Sequence, residues 1–380
     1  MIHPKYKSDS IANITPTVLE HFGCRTLVPS NPVLKNKLRG ADKVLFLYLD
    51  GLGYDLLKEA RAPFLKKLFK GTKPITALFP STTAASVTSF CTALTPQQHG
   101  ILSYMLYVKE FRALTNMLAY KNVMTGARLR PNTRTFLPFK TVSEQLAVKG
   151  VKTFFLIPKH TVNSTFSRMI HRKGSQVGYH GLREFFQKLK RLLARPGKQF
   201  IYAYTDMYDS LCHLYGPYSD AASLFLQGFD AHLEKFVKNV RAKNAVLVIS
   251  SDHGMLTTDP KRMIDYNDHP KLMKSLITAG GELRMNYLYC RRGRQRFVER
   301  YFRKHFGRKA FLFNSRDMLE KEWFGLGAVY PKTINRIGDF VVVAKKNFTF
   351  GIKHSPLIGH HGGVSRQEML VPLLVCKFRS

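Results

Sequence analysis

Two stretches of this sequence pair a carboxylate with an imidazole in ways that suit a cation. In DMYDSLCHLYGP, Asp209 and His213 lie four residues apart, so one helical turn points both side chains from the same face. In VISSDHGM, Asp252 and His253 are adjacent at the end of an apolar run, where the chain leaves a strand and Gly254 frees the turn. Carboxylate with imidazole is a hard and borderline donor pair suited to Zn²⁺ or Mn²⁺. A third motif, GHHGGVSRQEMLVPLLV, offers His360 and His361 against two glycines. FPSTTAASVTSFCTAL adds hydroxyls, with Ser81, Thr82 and Thr83 at the start of a helix-like stretch. There the backbone N–H groups and the helix dipole favour an anion. A hydroxyl so placed suits an alkoxide nucleophile or a contact to a phosphate oxygen, and a bound cation lowers its pKa. Each feature alone has a plainer reading, since Asp, Ser and Thr in such places also cap helices.

Bringing these residues together needs a sheet. Four apolar runs, residues 44–49, 153–157, 200–204 and 245–249, read as strands buried on both faces, and the stretches between them read as helices. The expected fold class is α/β, a mostly parallel central sheet with helices on both faces and a small cap or insert. Three of the runs finish in carboxylates: Asp50 in LYLDGLG, Asp206 and Asp209 in YAYTDMYD, and Asp252 in VISSDHGM. In open α/β sheets ligands gather outside the carboxyl ends of the strands, so carboxylates far apart in sequence converge there. Residues 1–380 read as a single catalytic domain, with 258–355 the place for a cap or specificity insert. LREFFQKLKRLLAR and RRGRQRFVERYFRKHFGRK read as basic amphipathic segments suited to lie on anionic lipid or RNA, with a helix docked on the core and a solvated charged face as the plainer reading.

The chain is 44% hydrophobic and 22% charged, enough to bury a large core and too apolar for a disordered chain. Its 60 Lys and Arg against 25 Asp and Glu give a formal net charge of +35. An acidic partner is expected: a phosphorylated substrate, nucleic acid or an anionic membrane surface. The five cysteines, Cys24, Cys91, Cys212, Cys290 and Cys376, are odd in number and include no C-x-x-C pair, which argues against a disulfide framework or a cysteine zinc site. The first residues, MIHPKYKSDSIANITP, lack an apolar stretch long enough for a secretory signal, and no run of about 18 apolar residues occurs. A cytoplasmic protein is expected.

Taken in order, LDGLG, FPSTTAASVTSFCTALTPQQHGI, YTDMYDSLCHLYGP, SDHGM and GHHGGVSRQEMLVPLL resemble the signature blocks of the alkaline phosphatase superfamily, and within it the nucleotide pyrophosphatase/phosphodiesterase branch. The resemblance implies two divalent metal ions, zinc or else manganese. One would be held by Asp209, His213 and His361, the other by Asp50, Asp252, His253 and the Thr83 oxygen. It selects Thr83 over Thr82 because the family's nucleophile stands nine residues before a Thr, here Thr92. It selects His361 over His360 through the family's G-x-H-G pattern. It implies attack by Thr83 on phosphorus, a phosphoryl-threonine, and then release by water. A threonine nucleophile tilts the expectation toward diesters, pyrophosphates or phosphonates. The sequence departs from the family at Ala84, where an aromatic would stack on a nucleobase, and at Ser86, which is taken as a weaker donor to a phosphate oxygen.

Three functions follow as expectations. The first is a two-metal phosphodiesterase or nucleotide pyrophosphatase. The second keeps the site for phosphonate or phosphomonoester hydrolysis. The third, from another class, is a basic module that binds nucleic acid or membrane without catalysis.

Overall fold

A computed structural model describes residues 1–352 and 354–378 of the chain. The four apolar runs form the expected strands, Lys43–Leu49, Lys152–Pro158, Gln199–Thr205 and Ala245–Ser250. They build a six-stranded sheet in the order Leu373–Lys377, Ala245–Ser250, Lys43–Leu49, Gln199–Thr205, Lys152–Pro158, Ser175–Tyr179. All neighbours run parallel except the edge strand Leu373–Lys377, which is antiparallel to Ala245–Ser250.

The central strand explains why its run is apolar without alternation. Val44, Phe46 and Tyr48 pack on one face with Ile14, Val18, Phe90 and Leu146, and Leu45, Leu47 and Leu49 pack on the other with Leu65, Leu189 and Leu233. Both faces are covered by helices, so every position from Val44 to Leu49 is withdrawn from water. One of those helices is GLREFFQKLKRLL, which spans Gly181–Leu193 and buries Phe185, Phe186, Leu189, Leu192 and Leu193. Among the described residues no helix is long and apolar enough to cross a membrane, and the five cysteines are unpaired.

A second, antiparallel sheet of seven strands stands beside the first, ordered Ala310–Asn314, Phe340–Ala344, Met285–Cys290, Leu276–Glu282, Met105–Val108, Ala113–Asn116, Lys121–Asn122. Four of its strands fall within 258–355, and three come from 105–122, a segment that follows the helix Thr83–Thr92. The two groups meet through a single paired position, Gly281 with Met105. The second basic segment forms the helix Gln295–Phe306, docked by Val298, Phe302 and Phe306.

Candidate metal centre

Register in the central sheet decides where the carboxylates emerge. Leu49 pairs with Thr205 and Tyr48 with Ser250, so Asp50, the start of the Asp209 helix and Asp252 leave the sheet at one edge. Gly51, at φ +78°, turns the chain sharply after Asp50, and a Cβ there would stand 3.2 Å from the Asp209 side chain. Only glycine allows both the left-handed turn and that approach. Asp209 and His213 share the helix Met207–Tyr215, with Asp209 Oδ2 3.3 Å from His213 Nε2. Asp206 stays outside, 3.8 Å from His160.

His253 Nε2 lies 3.1 Å from Asp252 Oδ2 and 3.5 Å from Asp50 Oδ1. Thr83 is the first residue of the helix Thr83–Thr92, and its Oγ1 lies 3.4 Å from His253 Nε2 and 3.5 Å from Asp50 Oδ2. His361 stacks on His253 with ring centroids 3.5 Å apart. Donor atoms of Asp209, His253 and His361 lie within 4.8 Å of one another, as do those of Asp50, Asp252 and His253. His253 therefore joins the two groups, and His213 joins through Asp209. His360 turns away, its Nδ1 2.7 Å from Thr258 Oγ1.

The three converging imidazoles are oriented alike. Nδ1 of His213 faces the Gly359 carbonyl at 2.7 Å, that of His253 the Gly254 carbonyl at 3.1 Å, and that of His361 the Ser81 carbonyl at 2.8 Å. A carbonyl only accepts, so each Nδ1 is the protonated nitrogen and each neutral ring keeps a lone pair on Nε2, directed at the cluster. The carboxylates complement this. Asp50 Oδ1, Asp209 Oδ1 and Asp252 Oδ2 are buried without a hydrogen-bond partner, while Tyr204 donates to Asp50 Oδ2 at 2.6 Å. Acceptor atoms facing one another in a buried site need a cation or a shared proton between them. The donor set therefore fits divalent metal.

The protonation pattern follows from the same crowding. Burial, then the charges of Asp252 and Asp209, push Asp50 well above the ordinary carboxylate range. Burial also opposes the charged forms of Asp209 and Asp252, but the neighbouring imidazoles outweigh it and hold both carboxyls low. Burial alone would lower His213, yet the Asp209 charge and hydrogen bond raise it to about 9. A cation bound to His213 must displace that proton. Cation uptake at neutral pH should then release a proton, and the apparent affinity should fall about tenfold per pH unit as pH drops below about 9. Calorimetry in buffers of different ionisation enthalpy reads this release directly, and buffer-independent heats would remove His213 from the site.

A cavity of about 680 Å³ opens on the cluster, lined among others by Thr83, Tyr104, Asp209, His213, Glu282 and His361. Ser86, expected as a donor to phosphate, is wholly buried with its Oγ unpartnered and does not line this cavity. Val87, one full turn after Thr83, lines a second cavity of about 430 Å³ that adjoins the first along Thr83, Tyr104, Asn116 and Leu118 and is walled also by Ile157, Phe166 and Tyr202. Two residues that hold members of the cluster or its neighbours escaped the sequence reading. Tyr204 lies within a strand run, where its outward turn is set by the sheet. Glu282 accepts from the Thr82 hydroxyl, from Ser103 Oγ at 3.1 Å and from the Tyr104 N–H at 2.9 Å. It belongs to the second sheet, and its only signal was an acid after Gly280 and Gly281 in an otherwise apolar run.

The family model of type I phosphodiesterase / nucleotide pyrophosphatase matches residues 44–363. No curated protein matches the sequence significantly. Among solved structures, murine ectonucleotide pyrophosphatase / phosphodiesterase 5, an inactive form in complex with AMP, superposes with a TM-score of 0.65 at 16% identity, covering 88% of this chain and 87% of that one. The human counterpart gives the same TM-score, identity and coverage. Phosphonoacetate hydrolase from Sinorhizobium meliloti 1021, in complex with phosphonoformate, gives 0.63 at 18% identity, covering 87% and 89%. At these identities the likeness to solved structures is one of fold. It is the family match, running from the first central strand to the His361 loop, that shows the chain to belong to the type I phosphodiesterase / nucleotide pyrophosphatase family, hydrolases of phosphoric ester bonds.

Proposed function

We propose that the chain is a two-metal phosphodiesterase or nucleotide pyrophosphatase with Thr83 as the attacking group. The observation that carries this reading is the convergence, around one threonine hydroxyl, of three buried carboxylates with unpartnered oxygens and three imidazoles with inward lone pairs. In this reading Asp209, His213 and His361 hold one ion, and Asp50, Asp252, His253 and Thr83 Oγ1 hold the other. The mixed nitrogen and oxygen donors favour zinc, with manganese as the alternative. The two ions supply Lewis acidity and neutralise charge during in-line displacement at phosphorus.

The chain's own residues do the rest. Thr83 begins its helix, so the helix dipole favours negative charge on Oγ1 and on a phosphate oxygen beside it. Tyr204 fixes Asp50 by its hydrogen bond to Oδ2 and leaves Oδ1 facing the cluster. Glu282 grips the Thr82 side chain and the Tyr104 N–H, which holds the entry to the nucleophile helix against the second sheet. Thr83 Oγ1 bonds to phosphorus as the bond to the leaving oxygen breaks, and water later cleaves the phosphoryl-threonine and restores the hydroxyl. Two adjoining cavities border Thr83, and this room for a second organic group beside the phosphate supports diesters over monoesters. The nucleotide reading draws further support from the complex of the murine relative with AMP.

A second reading, phosphonate hydrolysis, is favoured by the fold shared with phosphonoacetate hydrolase. Metal analysis of the purified protein should find about two zinc or manganese ions per chain. Chelation should abolish turnover of a chromogenic diester, and added metal should restore it. Parallel assays with a monoester and a phosphonate separate the readings: turnover of the phosphonate alone replaces the first by the second. A metal-free protein that hydrolyses none of the three would remove both.

A further inference from the structure

The helix Gln295–Phe306 carries a surface that the hydrolytic site does not use. Between residues 291 and 309 the chain has nine Lys and Arg and a single acid, Glu299, which is paired with Arg303 at 2.9 Å. The apolar stripe of the helix is fully committed inward: Val298, Phe302 and Phe306 are buried among Tyr266, Phe340 and Phe350. What faces outward is two parallel rows. Phe297, Tyr301 and His305 recur every four residues, and Arg296, Arg300 and Lys304 recur beside them at the same interval. Four residues are about 6 Å along a helix, so each ring has a cation next to it.

The rings form a ladder rather than a scatter. Tyr301 stacks on His305 with centroids 4.2 Å apart at 30°, and Phe297 follows at 5.8 Å and 33° from Tyr301. His269 braces the ladder, its Nδ1 3.1 Å from the Tyr301 hydroxyl. Together with Pro270 and Lys271, the ring row and the cations Arg300 and Lys304 line an open groove of about 610 Å³. Among the described residues no carboxylate lines it.

We propose that this groove binds single-stranded nucleic acid, with bases stacking on the Phe297–Tyr301–His305 ladder and phosphates meeting Arg300, Lys304 and Lys271. Cations that track a backbone beside aromatic faces are what a sequence-tolerant single-strand site requires. Charge complementarity singles out a polyanion, and the ring ladder singles out one with flat bases. An anionic bilayer is the poorer fit, because Val298, Phe302 and Phe306 are 2% exposed or less and Phe297 and Tyr301 are held partly buried against the same core, which leaves no free apolar side chain to insert.

The test measures fluorescence anisotropy of a labelled short oligothymidylate with metal-loaded Thr83→Ala protein, a background chosen so that the strand stays intact. Affinity should fall linearly in log–log terms with salt. Arg300→Ala with Lys304→Ala should shallow that slope by about 1.4, two cations at about 0.7 each. Tyr301→Leu with His305→Ala should weaken the oligonucleotide about tenfold while leaving binding of inorganic polyphosphate nearly unchanged. In the Thr83 background of the natural chain, all four substitutions should leave turnover of a small diester intact, since the groove lies outside the metal cluster. Equal losses for oligonucleotide and polyphosphate on ring removal would reduce the surface to bare charge and overturn the proposal. So would tighter binding to phosphatidylserine vesicles that the same substitutions abolish.

Discussion

Thr83→Ala should lower kcat for a chromogenic phosphodiester by at least about a thousandfold, the scale on which loss of a covalent nucleophile acts. The substitution removes one oxygen and one methyl at the first residue of a helix whose other residues are buried, so thermal stability and the bound-metal count should stay close to those of the natural chain. Six other side chains of the cluster remain in place, and stoichiometric metal in an inactive variant is the signature that separates a nucleophile from a mere ligand. Thr83→Ser keeps the hydroxyl and should retain a measurable fraction of turnover. Comparable activity in Thr83→Ala and the natural chain would end the role given to Thr83, whatever metal is bound. Rapid quenching of the active enzyme should trap phosphate on a peptide containing Thr83.

Glu368→Gln should destabilise the protein by about 3–5 kcal/mol, the usual cost of leaving one partner of a buried ion pair uncompensated. Arg284 and Glu368 are 1% and 0% exposed. The guanidinium meets the carboxylate twice, Nε to Oε1 at 3.1 Å and Nη2 to Oε2 at 3.2 Å. The same carboxylate accepts from the Gly363 N–H at 2.9 Å, just beyond His361, and the Glu368 carbonyl accepts from the Gly254 N–H at 2.9 Å, just beyond His253. One residue thus fastens the second sheet to two loops of the cluster. The variant should unfold at lower denaturant and bind metal more weakly. Arg366→Ala, which breaks an exposed bidentate pair with Asp55, should change stability by no more than about 1 kcal/mol. A loss no larger for Glu368→Gln than for Arg366→Ala would refute the anchoring role.

The pH dependence of that anchor has a definite sign. Burial opposes ionisation of Glu368, but Arg284, Ser365 and Gly363 outweigh it and hold the carboxyl below its ordinary value of 4.5. A group whose folded pKa is depressed contributes stability above its unfolded pKa and loses it as pH falls through the folded one. The natural chain should therefore lose stability on acidification below about 4.5, and Glu368→Gln should lose less over the same range.

Much of the chemistry was written locally. The Asp209 and His213 pair needs only a helix, and the helix Met207–Tyr215 forms there. Asp252 and His253 need only the end of a strand, and Ala245–Ser250 ends just before them. The central strands could be read because burial on both faces leaves an unbroken apolar run, a signal that does not depend on partners. The choice between adjacent candidates was not local. Residue type and position do not separate His360 from His361, which only the family's G-x-H-G pattern ranked, and it is the pairing of Gly359 with Thr257 and the Ser81 carbonyl that turn one ring toward Thr258 and the other into the cluster. Ser86 looked available for the same reason in reverse: a polar side chain after Thr83 carries no mark of the packing that buries it.

Glu282 and Arg284 show where sequence reading stops. Both act through contacts with residues 84 to 200 positions away, in a sheet whose strands come from two separated stretches of chain, and no periodicity encodes which stretches will pair. Residue types and spacing determined which groups could bind metal and attack phosphorus, because those needs are met within a turn or at a strand end. Only the tertiary structure decided which oxygen atoms are left without partners, which imidazole nitrogen faces inward and what holds the loops together, because each of these depends on surfaces that meet only after the two sheets have packed.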